Sequence, residues 1–270
     1  MLLENLVLYR FLLLAQLRST LQYRISFILD VLGTSLVTIL EFAAFALIFS
    51  RFQGLGGWSL LEIMFLYGMV EFAFGLTDMV FDGFDSPTFS QHIRKGTLDQ
   101  FLLRPTNLMI QIFGSSISFR RIGRVILGAG IFGYALLYNP QIWRLEKILY
   151  LPLVILGMNL YFGALFLVGA AITIFTTDST DAMNLFTYGG KDMMSYPMNI
   201  YADWLRIMFT FLFPVALVNY YPALFFLGKP DPFGLPSFMP FLAPIAGFMM
   251  FLLALQFWKF GLKHYQSAGN

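Results

Sequence analysis

Ile148 to Phe175 reads ILYLPLVILGMNLYFGALFLVGAAITIF, 28 residues without one formal charge. A helix of about 20 apolar residues crosses the roughly 30 Å hydrocarbon layer of a bilayer, so this stretch alone implies a membrane span. Working outward, Phe238–Phe257 is a second uncharged run. Phe27–Phe49 and Leu60–Phe81 flank a glycine-rich turn, Gln53-Gly54-Leu55-Gly56-Gly57. Ile122–Tyr138 is shorter, but snorkelling of Arg121 and Arg124 extends it. Ile207–Leu227 carries no charge and is broken by Pro214 and Pro222. The expected fold is therefore an all-α polytopic membrane protein of six transmembrane helices, one domain over residues 1–270.

Composition agrees with that reading. The chain is 58% hydrophobic and 12% charged, with 32 Phe and a mean hydropathy of +0.72. An ordinary soluble domain is roughly 45–50% apolar and 25% charged, so a soluble globule and a disordered chain are both excluded. A net charge of +2 gives no footprint for nucleic acid. The absence of Cys excludes disulfides, thiolate metal sites and cysteine nucleophiles, and fits a bacterial inner membrane.

An even number of spans puts both termini on one side, and the basic residues choose the side. Arg10, Arg18 and Arg24, the loop carrying Arg94, Lys95, Arg104, Arg120 and Arg121, Arg124 at the start of span three, Lys191 and Arg206, and the tail with Lys259 and Lys263 hold 13 of the 17 basic residues. Both termini, residues 1–24 and the loop 83–121 are thus expected in the cytoplasm. Residues 1–24 are Leu-rich and basic without a cleavage site, which suggests a retained interfacial segment. Asp181–Ile200 is apolar but holds Gly189, Gly190, Lys191, Asp192 and Pro197, and is placed in a cytoplasmic loop. Were it to cross, Ile207–Leu227 would have to become a re-entrant external element.

Catalytic chemistry is poorly supplied. His92 and His264 have no companion at metal-ligand spacing, there is no Gly-x-Ser-x-Gly elbow, and the phosphate-loop pattern is missing. The chain is not expected to be an enzyme on its own or to bind a cofactor. What remains is a set of acids in or near the spans. Carboxylates at depth must face protein or water, and Glu71 and Asp78, seven apart, share a helix face. Glu41, Glu71 and Asp78 are the candidate pathway residues, against the plainer reading that the acids near helix ends touch head groups.

The stretch from Ile93 to Leu102 mixes apolar residues (Ile93, Leu98, Leu102) with both signs of charge (Arg94, Lys95, Asp99), and Gly96 permits a bend. Such a segment lies along the membrane surface or docks in a partner's groove. Four blocks in order then resemble a known family: Gly57-Trp58-Ser59-Leu60-Leu61-Glu62; Ile93-Arg94-Lys95-Gly96-Thr97-Leu98-Asp99 followed by Leu102-Leu103-Arg104-Pro105; Tyr196-Pro197 with Ile200-Tyr201; and Phe213-Pro214-Val215-Ala216 with Val218-Asn219-Tyr220-Tyr221-Pro222. Together they look like a type-2 ABC exporter permease of the bacterial six-span kind. The resemblance implies a transmembrane subunit that pairs with a second permease and two cytoplasmic ATPase subunits. Those partners would bind ATP and magnesium, and the 83–121 loop would supply the coupling helix. The alternative is an ion-coupled carrier or channel using Glu41 and Glu71. The substrate is expected to be a hydrophobic or cationic amphiphile, a drug or a lipid.

Overall fold

The computed structural model describes residues 2–51, 56–177 and 181–267, and among these the chain is helical with no β-strand. Gln53, Gly54 and Leu55 of the glycine-rich turn lie outside the described residues. The long helices are α1 (Leu2–Gln22), α2 (Arg24–Arg51), α3 (Leu60–Val80), α7 (Ile122–Leu137), α8 (Leu145–Thr176) and α13 (Ala243–Lys263). Three short helices lie between α3 and α7: α4 (Ser86–Arg94), α5 (Thr97–Leu102) and α6 (Leu108–Ser115). Between α8 and α13 come α9 (Asp181–Met194), α10 (Asp203–Ile207) with its π-helical continuation Met208–Leu212, α11 (Val215–Val218) and α12 (Tyr220–Leu227). Four helices, α2, α3, α8 and the one ending at Lys263, are long and apolar enough to cross a membrane, and a fifth candidate is the pair Asp203–Leu212 and Val215–Leu227, bent by 70°.

The central element is α3. A capping box starts it: Ser59 Oγ accepts from the Glu62 N–H, and the Glu62 carboxylate accepts from the Ser59 N–H at 2.7 Å. Antiparallel to it runs α7, with Phe132 against Gly68 and Gly128 against Phe72. Parallel to it runs α8, with Asn159 beside Thr77, Phe162 4.9 Å from Phe74, and Gly163 against Phe81. At about 1.5 Å per residue the 32-residue α8 is about 48 Å long, and its far end reaches beyond α3 to pack on α4.

The helix α13 lies parallel to α8, with residues 243–247 beside Gly157 and Gly261 beside Ala171 and Ile174. The backbones meet so closely that a Cβ on Gly247 would overlap the Gly157 carbonyl oxygen. Replacing Gly247 by Val will therefore separate the two helices. Size-exclusion chromatography in detergent should show loss of the monodisperse species, while Gly133→Val, with nothing within 4 Å of the added Cβ, behaves as wild type.

Two parallel neighbours require a return between them, and residues 181–200 run beside α3. Asp181–Ile200 is not a loop beyond one end of the bundle. The Tyr188 hydroxyl reaches Asp78, Lys191 reaches Glu71, and Asn199 Nδ2 donates to the Gly56 carbonyl at 2.6 Å, so the segment climbs the length of α3. The charges that argued against burial in apolar surroundings are neutralised by pairing. The expected span Ile207–Leu227 is a bent helix pair, Asp203–Leu212 and Val215–Leu227 at 70°. Arg206 stacks on Phe233 at 3.6 Å, and Lys229 Nζ donates to Gly57 O and Glu62, so both its ends sit at the Gly56–Glu62 end of α3. Between them the chain folds back at Pro214, and Asn219 Nδ2 holds the returning arm by donating to Met194 O at 2.7 Å. The helix α1 packs along α6, with Leu12 seated on Gly114.

Candidate functional site

The acids of α3 lead into a continuous buried cluster of charge. Asp78 is fully buried and pairs with Arg121 at 2.6 Å and Arg124 at 3.1 Å, and its other oxygen accepts from the Tyr188 hydroxyl at 3.2 Å. Arg121 also reaches Asp82 at 3.1 Å and Asp85 at 4.0 Å. Two turns along α3, Glu71 is held by ion pairs alone, with Lys191 Nζ at 2.7 Å and Arg124 at 3.8 Å. Lys191 then donates to Glu41 on α2 at 3.3 Å and lies 3.0 Å from Asp192.

Local sequence explains how these groups meet. Glu71 and Asp78 share a face of α3, Asp82 lies one turn beyond Asp78, and Arg121 and Arg124 are three apart where α7 begins. After Val80 a 3₁₀ turn, Asp82–Phe84, redirects the chain so that Asp85 begins α4 beside the same arginines. Burial pushes the Asp85 carboxyl up to about 6, against the opposing pull of Arg121. The expected candidates Glu41, Glu71 and Asp78 are thus brought into one cluster. Arg121, Arg124, Tyr188, Lys191 and Asp85 join them, none of which was a site candidate from the sequence. The spacing of the two arginines opposite Asp78 and Asp82 was the available signal.

Two cavities flank α9. One, of about 270 Å³, is lined by Glu41, Phe45, Tyr67, Lys191, Asp192 and Tyr196 among others. The other, of about 440 Å³, is walled by apolar residues such as Leu165, Phe186, Met193 and Phe213.

The loop after α3 is two helices hinged at Gly96, whose φ of +64° is left-handed and favours glycine. Of the expected coupling residues, Ile93 and Leu98 are fully buried in the protein's own core. Arg94, Lys95 and Leu102 are exposed, as are Leu103, Arg104 and Pro105. Asp99 accepts from Ser267 Oγ at 2.8 Å, which ties the carboxy-terminal tail to α5. Burial lowers the His92 pKa, and the nearby Lys95 lowers it further.

Long apolar helices around a core of paired charge define a multi-pass membrane protein. A family model for "ABC-2 family transporter protein" matches residues 35–269. The chain belongs to the ABC-2 transporter family, whose members are the membrane components of transporters. No curated protein and no solved structure matches it.

Proposed function

We propose that this chain is the permease subunit of an ATP-driven exporter in a bacterial inner membrane, working as a dimer with itself or a similar permease and driven by two cytoplasmic ABC ATPase subunits. In this reading α2, α3, α7, α8, residues 181–200 and α13 make six crossings, with both termini in the cytoplasm and residues 203–227 entering and leaving on the external side. The observation that carries it is mechanical. Ile93 and Leu98 root the α4–α5 pair in the core, and Asp85, which begins α4, belongs to the same charge cluster as Glu71 and Lys191. A push on α5 from an ATPase would therefore reach the middle of the bundle through rigid contacts. The carrier reading finds less support, because both carboxylates it would use, Glu41 and Glu71, are engaged by Lys191.

Reporter fusions after Arg104 and after Lys263 should read cytoplasmic, and fusions at Tyr138 and Asn199 external. The ATPase encoded with this permease should co-purify with it and hydrolyse ATP faster in its presence. A cytoplasmic signal at Asn199 would remove the 181–200 crossing, and an ATPase indifferent to the permease would remove the exporter reading.

A further inference from the structure

The 270 Å³ cavity between α2, α3 and α9 combines aromatic walls with unbalanced charge. Phe45 stands 5.0 Å from Tyr67 and 4.9 Å from Tyr196, so three rings line one side. Glu41 and Asp192 line the other, their side chains 42% and 66% exposed. Lys191 is the cavity's cation, but its ammonium is shared among Glu71, Glu41 and Asp192, which leaves an excess of negative charge on this side of α9. Tyr67, only 4% exposed, adds its ring to the wall.

We infer that this cavity binds the ammonium head of an organic amine, with the aromatic rings of Phe45, Tyr67 and Tyr196 around it and Glu41 and Asp192 as its counter-charges. An N–H ammonium can donate to a carboxylate, and ring faces attract the cation. A bare metal ion is a poor fit, since hard cations need about six or more oxygen ligands and most of this wall is carbon. A neutral amphiphile would leave the carboxylates uncompensated. The inference rests on the exporter reading only for its role as a substrate site; binding itself requires no ATPase.

The test is calorimetric titration of 4-phenylbutylammonium into the purified permease in lipid nanodiscs, with empty nanodiscs subtracted to remove partitioning. The amine should bind saturably, and 4-phenylbutanol, equal in length but uncharged, should bind at least about tenfold more weakly. Asp192→Asn, at a largely exposed side chain, should weaken the amine severalfold. The double variant Glu41→Gln with Asp192→Asn should weaken it by about tenfold or more, with the elution profile unchanged. Equal affinity for amine and alcohol, wild-type affinity in the double variant, or no saturable binding would each overturn the site. Lost amine binding with the ATPase still associated removes the cage and leaves the exporter reading standing. Retained binding with no ATPase association does the reverse.

Discussion

Lys191→Met, with Glu71 left in place, should cost about 3–5 kcal/mol and remove most of the folded protein from a detergent extract. The physical reason is asymmetry. Glu71 is fully buried, and without the ammonium at 2.7 Å its remaining counter-charge among the described residues is Arg124 at 3.8 Å, already committed to Asp78. An uncompensated carboxylate in that position is far worse than no carboxylate. Adding Glu71→Gln to Lys191→Met should therefore restore most of the folded yield, because the pair is then replaced by two neutral groups of similar volume. Fluorescence-detected size exclusion, with the temperature of aggregation as a second readout, measures both steps. A Lys191→Met protein as stable as wild type would mean that α9 does not lie against the middle of α3.

The second large effect separates two leucines five residues apart. Leu98→Asp places a charge where the side chain is fully buried, with no cation arranged to meet it, so the expected result is loss of folding. Leu103→Asp acts at a side chain that is 86% exposed, so the protein should insert and elute as wild type. Its expected defect is in partnership, a drop of about tenfold or more in co-purified ATPase and loss of permease-stimulated hydrolysis, since an apolar contact at an interface centre can contribute 2 kcal/mol or more. If Leu103→Asp retains the ATPase in full, the docking surface lies elsewhere, and the exposed face of α1 beside α6 becomes the next place to substitute.

These expectations differ from what the local pattern of Ile93–Leu102 suggests, and the difference shows where sequence reading stops. Run length and charge content were enough for α2, α3, α8 and α13, because a helix in lipid must satisfy its backbone internally and show apolar side chains outward. Ile93 and Leu98 are apolar whether they face a partner or their own core, and six to nine residues of helix cannot distinguish the two. The packing of residues 181–200 along α3 was hidden for a related reason. Lys191 counts against burial in any local window, and its partner Glu71 is 120 residues away in the chain. Pairings of that separation leave no periodicity to read. The candidate acids were partly legible, because a carboxylate inside an apolar run demands an explanation by itself. Their cations were less so, since Arg121 and Arg124 sit at a span boundary, where basic residues are ordinary.

The same separation bears on how the protein is made. Glu71 and Asp78 leave the ribosome well before anything that neutralises them, Arg121 and Arg124 following after roughly 50 residues and Lys191 after 120. At about 5–20 residues per second, Glu71 waits roughly 6–24 s for its lysine. During that interval α3 is a marginally inserted helix bearing unpaired acids, held first by the arginines of α7. Only when residues 181–200 arrive does the last carboxylate find its ammonium, and in the proposed topology a segment too polar to enter lipid unaided is drawn in by a charge already waiting there. Biogenesis of this protein is therefore sequential, and a ribosome stalled between residues 125 and 180 would strand an incomplete bundle for the membrane's quality-control proteases to recognise.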